Sequence, residues 1–233
     1  LMYKPPQFPV RKSYYYDKFR VGASIFPRSL YFVDVLSLEP GGLVCVKTSE
    51  DILKRAVKNP WRVVLNGCIE PDFLYVTILA WEIVPFGYIR FRPVVLPVLS
   101  HADSYEVLDV YDLKKRQMLG MARWLEKAQA VWEKKRTEAS RLRFPRLIDR
   151  LNYNNLLSAQ NPNKRYVVLY GATGSYITSC VIDRKSPMII NAGGKTLRAR
   201  GFIADVKTWF YETNDKAEAH YLAALLNSRV LDR

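Results

Sequence analysis

Histidine and cysteine are scarce, two of the one and three of the other, and their placement limits the available chemistry. His101 and His220 lie far from Cys45, Cys68 and Cys180, no C-x-x-C pair occurs, and the cysteine count is odd. That pattern argues against a zinc site and against a disulfide framework. Long apolar runs are also missing. The longest uncharged stretch, Tyr166 to Ile182, has 17 residues and carries Gly171, Thr173, Gly174, Ser175, Thr178 and Ser179, so it makes a poor hydrocarbon-spanning helix. No membrane partner is expected. The chain opens on Leu1 and a Lys4-Pro5-Pro6 stretch without the apolar core of a secretion signal, and reads as a cytoplasmic piece of something longer. Acidic residues are the minority charge. Asp and Glu number 22 against 36 Lys and Arg, and the resulting +14 over 233 residues has the sign that attracts polyanions.

The pattern along the chain predicts an α+β fold with two β-rich lobes joined by a long helix, and a helix at the C-terminus. In the first lobe, 1–104, short runs rich in β-branched and aromatic residues (29–36, 43–46, 62–65, 73–84, 87–96) are separated by Pro40-Gly41-Gly42, Asn59-Pro60, Asn66-Gly67 and Pro85-Phe86-Gly87. Residues 105–150 form the helical and basic linker. From Asp109 to about Leu142 there is no proline and a single Gly120, which predicts one continuous helix. Its Met118, Met121, Leu125, Ala128 and Trp132 fall on one stripe, suited to packing on the sheet of its own domain or on another chain. The second lobe, 151–233, returns to β pattern at 165–170, 176–182, 188–190 and 202–211. It closes with a helix over Asp215 to Val230 whose natural N-caps are Asn214 and Asp215.

Catalytic signatures are absent. Gly193-Gly194-Lys195-Thr196 ends like a phosphate loop, but the glycine four residues earlier is missing, so a hairpin turn is the better reading. Asp72 and Glu82 could form a metal-dependent nuclease pair, yet the lysine expected two residues after the second acid is not there, since Ile83-Val84 follows. What is present is basic residues mixed with aromatics, in three clusters. The first runs from Arg11 to Arg28 and includes Tyr14, Tyr15 and Tyr16. The second is Arg141 to Arg150, at the end of a stretch from Glu133 carrying a net charge of +4, and the third is Arg184 to Arg200. Cations of this kind meet backbone phosphates, while Tyr, Asn, Gln and bidentate Arg read base edges. Candidate DNA-binding residues are Lys12, Lys18, Arg20, Arg143, Arg146, Arg184, Lys185, Lys195, Arg198 and Arg200.

Several stretches together resemble one family. Phe19-Arg20-Val21-Gly22-Ala23-Ser24-Ile25-Phe26-Pro27-Arg28 resembles the G-A-[ST]-hydrophobic-x-P-R strand with which the target-recognition region of adenine-specific N6 DNA methyltransferases begins. Arg150 to Gln160 resembles a linker of those restriction-modification proteins. Phe202-Ile203-Ala204-Asp205, Tyr211-Glu212-Thr213 and Ala219 to Ser228 are similar to the strand and helix that end the region. The resemblance implies sequence-specific recognition of double-stranded DNA beside an N-terminal methyltransferase domain of the same parent chain. That missing domain would use S-adenosylmethionine. No cofactor is expected in this chain and no catalytic residue carries over. The [DNS]-P-P-[YFW] motif that holds a flipped adenine has only partial echoes, in Asn59-Pro60-Trp61, Asn161-Pro162-Asn163 and Lys4-Pro5-Pro6-Gln7. The competing expectation is a helical scaffold, without DNA specificity, that pairs through Met121 and Leu125.

Overall fold

The computed structural model describes residues 12–228 apart from 175 and 193, and the backbone alone at 192 and 195. Arg11, Val230, Gly193 and the side chain of Lys195 therefore lie outside the described residues. The fold is α+β. Strand β1 (Arg20–Val21) leads through a single 3-10 turn (Arg28–Leu30) into β2 (Val33–Leu38), β3 (Val44–Thr48), α1 (Glu50–Arg55) and β4 (Asn66–Ile69). Next come β5 (Leu74–Thr77), β6 (Ile83–Val84), β7 (Gly87–Tyr88), β8 (Arg92–Val95), β9 (Val98–His101) and β10 (Ser104–Val107). Four helices follow, α2 (Val110–Lys115), α3 (Leu119–Lys135), α4 (Glu138–Arg143) and α5 (Leu147–Leu151). The chain ends with β11 (Tyr166–Gly171), β12 (Ser179–Asp183), β13 (Ile189–Ala192), β14 (Lys195–Arg198), β15 (Thr208–Thr213) and α6 (Lys216–Leu226).

All strand pairings in the sheets are antiparallel, in small sheets ordered β2-β3-β4, β5-β8, β6-β7, β9-β10, β13-β14 and β1-β15-β11-β12. In β11, alternate side chains serve two cores, as a two-residue period requires. Val167 and Leu169 join the main cluster, which runs from Ala23 to Phe210 and draws on residues from both sides of the helical stretch. Tyr166 and Val168 face a smaller cluster with Ala219, Leu222 and Ala223 of α6, against which Tyr15 and Phe19 pack. Asp215 caps α6 as expected, accepting from the Ala217 and Glu218 amides at 2.7 and 3.2 Å.

The single helix expected over 109–142 is three helices, and each break has a physical cause. Gln117 adopts a left-handed backbone at φ 59°, ending the first segment. The amides that open α3 are then capped from 50 residues away, the Glu70 carboxylate accepting from Gly120 and Met121 at 2.9 Å each. Arg136 is extended, and Thr137 starts α4 by accepting from the Ser140 amide at 3.3 Å. Met121, Leu125, Ala128 and Trp132 are all buried in the protein's own core, so most of the stripe is spent within the chain. Gly120 allows α3 to lie on β4, for a Cβ there would sit 2.6 Å from the Cys68 carbonyl oxygen.

The cysteine reading needs one correction. Cys45 and Cys68 face each other in register on β3 and β4, Cα atoms 3.9 Å apart, and form a disulfide, while Cys180 is free and buried. Their separation of 23 residues hides a strand pairing that brings them side by side. Among the described residues no helix is long and apolar enough to cross a membrane.

Candidate nucleic-acid interface

Three of the stretches that carry the resemblance, 19–28, 202–205 and 150–160, meet around Ala204 and Asp205. Gly22 approaches the Ala204 and Asp205 carbonyl oxygens so closely that a Cβ would fall 2.4 Å from each. Ala23 bridges to Asp205, and the Arg28 guanidinium reaches the Asp205 carboxylate at 3.3 Å. Gln160, fully buried, clamps the Ala204 peptide from the third segment, accepting from its amide at 2.9 Å and donating to its carbonyl at 3.1 Å.

The candidate DNA-binding residues divide by whether their charge is already answered. Arg184 is partly buried, its side chain 8% exposed, with its guanidinium donating to Glu212 at 2.8 Å and to the carbonyls of Asn161 and Lys164. Arg20 donates to the same Glu212 at 2.7 Å, so the first and third clusters meet at one carboxylate. Arg146 is held by Asp149 and Asp109 at 3.0 and 3.2 Å, and Arg200 lies 3.8 Å from Asp72. Lys12 and Lys18 rest over the Tyr16 and Tyr14 rings, 4.3 and 3.4 Å from the ring centres. Arg143 donates to the Tyr153 hydroxyl and lies over that ring, with no carboxylate partner among the described residues. Lys185 is exposed beside Asp183, to whose carboxylate its amide donates at 2.9 Å. Arg198 is exposed and has no acidic partner among the described residues; it sits on β14 opposite Ile189 in the expected hairpin, where Ala192 faces Lys195. Asp72 and Glu82 have separate partners, the buried Glu82 accepting from Arg90 and Arg92 at 3.1 and 2.7 Å in a partly exposed ion-pair network that extends to Asp51.

Cations without carboxylate partners gather where the helical stretch turns back. Of the seven basic residues between 133 and 150, Lys134, Lys135, Arg136, Arg143 and Arg150 have none among the described residues, whereas Arg141 and Arg146 do. A cavity of about 410 Å³ opens beside them, between the Phe26–Arg28 turn, the loop after α1 and the end of α3. Arg28, Lys58, Arg136 and Arg150 line it, with Phe26, Trp61 and Trp132 supplying aromatic wall and no carboxylate among its lining residues. Sequence reasoning placed Arg28, Arg136 and Arg150 in basic stretches without singling them out. It passed over Lys58 and met Trp61 only as a partial echo of the adenine-holding motif; both reach the site from a turn more than 70 residues away along the chain from Arg136. No protein-family model matches the chain, and no curated protein matches it either.

Proposed function

We propose that this chain recognises double-stranded DNA sequence-specifically, as the non-catalytic target-recognition part of an adenine-specific N6 DNA methyltransferase of a restriction-modification system. A separate methyltransferase domain would bind S-adenosylmethionine and flip the adenine, and a cytoplasmic setting belongs to the same reading. The observation that carries it is the run of five uncompensated cations from Lys134 to Arg150 in a chain of charge +14. Charges of one sign held together without counter-ions repel one another and are relieved by a polyanion. Phosphate neutralisation releases condensed counter-ions, so affinity should fall with salt by about 0.9 log unit per log unit of salt for each phosphate met.

The test is fluorescence-anisotropy binding to a random-sequence duplex pool across a salt series, followed by sequencing of the bound fraction. Five contacts predict a slope of roughly −4.5, and neutralising Lys134, Lys135 and Arg143 together should flatten it by about three units. Enrichment of a short motif supports recognition by this chain. Salt-insensitive binding, or none at low salt, refutes the reading.

A further inference from the structure

We propose that the cavity between the Phe26–Arg28 turn, the loop after α1 and the end of α3 binds a nucleotide. Its phosphate would meet Arg136, Arg150 and Lys58, and its flat base would lie against Trp61 and Phe26.

The arginines of this cavity carry buried nitrogens that nothing among the described residues satisfies. The Nε atoms of Arg28, Arg136 and Arg150 are all buried and without a hydrogen-bond partner. Arg28 is only 4% exposed, and its one ion pair is with Asp205. Arg136 spends Nη1 on the Phe144 and Pro145 carbonyls at 2.7 and 3.1 Å, and its guanidinium lies 4.3 Å from the Trp132 ring centre. The Arg150 guanidinium makes no hydrogen bond and no ion pair among the described residues; it lies over the Phe144 ring at 5.5 Å, and burial holds it below its ordinary value. The nearby Tyr31 hydroxyl is also buried and unpaired, within electrostatic reach of Arg150.

A half-buried guanidinium with no anion is a costly arrangement. Two of them, beside exposed Lys58 and with no acid on the wall, fit a ligand that brings its own negative charge. Guanidinium forks match phosphate oxygens, and Trp61 and Phe26, both half-buried on the cavity wall, give aromatic surface for a base, with the Arg28 guanidinium lying over the Phe26 ring. The volume of about 410 Å³ falls in the range of roughly 300–1,000 Å³ that small-ligand sites occupy. The cavity beside Lys18 and Arg20 differs here, since Asp103 and Glu212 line it and answer its charge from within.

The same chemistry arrives as a free nucleotide or as one extruded from a duplex, and only the second source rests on the DNA-recognition reading. The test is calorimetric titration of the 233-residue chain with the four deoxynucleoside monophosphates, with deoxyadenosine and with inorganic phosphate. Lys58→Glu and Arg150→Gln follow, each checked for an unchanged melting curve. At least one monophosphate should bind, the nucleoside about tenfold more weakly or worse, and Lys58→Glu should weaken the monophosphate by about tenfold. Lys58 is exposed, so this variant keeps the test valid if Arg150→Gln does not fold. No heat from any monophosphate up to about 1 mM, or binding indifferent to Lys58→Glu, overturns the site.

A duplex with one unpaired, extruded nucleotide, compared with its fully paired form, then separates the sources. A preference for the extruded form that Lys58→Glu abolishes assigns the site to DNA, and equal binding of the two duplexes assigns it to free nucleotides. Monophosphate binding without duplex binding leaves the site standing and removes the DNA reading, while duplex binding without monophosphate binding does the reverse.

Discussion

Replacing Arg28 by methionine should destabilise the protein by about 3–5 kcal/mol at neutral pH, because it strands a carboxylate that has no access to water. Asp205 is fully buried; its Oδ1 accepts from Arg28 at 3.3 Å and from the Lys207 amide at 3.0 Å, and its Oδ2 has no partner. Arg28 is equally enclosed, its guanidinium within 4.9 to 5.6 Å of the Phe26, Trp81 and Phe32 ring centres. Burial pushes the Asp205 carboxyl up and the Arg28 charge opposes that rise. A carboxyl whose folded pKa stands above its unfolded value binds its proton more tightly in the folded state. Stability is therefore lost as pH rises through the folded value. Without Arg28 only Lys207 still opposes the upward push, so the defect of Arg28→Met should shrink on going from pH 7 to pH 5. Arg28→Met combined with Asp205→Asn should recover at least about 1 kcal/mol relative to Arg28→Met alone. Urea unfolding followed by tryptophan fluorescence at both pH values measures every term. A single-variant cost under about 1 kcal/mol, additive with Asp205→Asn and flat with pH, would refute a charge-paired core at this position.

Gly120→Ala should cost about 1–3 kcal/mol in the same assay, since the new Cβ would meet two backbone atoms, the Cys68 oxygen at 2.6 Å and the Ile69 Cα at 3.0 Å. Gly67→Ala, whose Cβ would touch only the Trp124 ring at 3.6 Å, is the tolerant control; equal costs would remove the argument. Leu125→Ala should lose about 2–5 kcal/mol and Leu125→Lys should unfold the chain, as circular dichroism melts would show; a folded Lys variant would mean that this face of α3 is not buried. Reducing the Cys45–Cys68 bond, which closes a 23-residue interval, should cost about 3 kcal/mol. Burial pushes the Cys180 thiol up to about 12, so brief alkylation of the reduced native protein should label Cys45 and Cys68 while Cys180 reacts only in urea, as intact mass will report.

Much of the secondary structure was legible because it rests on local signals. Strands β2, β3, β5 and β8 overlap the apolar runs that announced them, and the Asp215 cap and the face of α6 follow from spacing alone. The helical stretch was misread for the opposite reason. Nothing near residue 117 reveals a break, because the cap of α3 is a carboxylate on Glu70, brought there by β4 lying under the helix. Thr137 was a readable N-cap, hidden within a run of good helix formers. The disulfide belongs with Glu70. Its partners are distant in sequence and adjacent only once β3 and β4 pair, which a cysteine count cannot anticipate.

For the basic residues, composition announces the amount of charge and is silent on which charges are already answered. Arg184 and Arg143 look alike in the sequence, yet one is held by Glu212 and two carbonyls while the other lies on Tyr153 with no acidic partner among the described residues. The difference comes from Glu212, 28 residues past Arg184 on β15, where pairing with β11 fixes its position. A cation is free to meet an external anion only if folding has brought no carboxylate to it, and that condition is set by topology. The same reasoning explains Arg136 and Arg150. They sit in the most basic stretch of the chain, but their importance comes from Lys58, Trp61 and the Phe26–Arg28 turn, which fold around them from the far side of the core and bring no acid with them. Arg28 itself marks the boundary between the two roles, for one of its nitrogens holds Asp205 and another stands buried and unpaired beside the cavity.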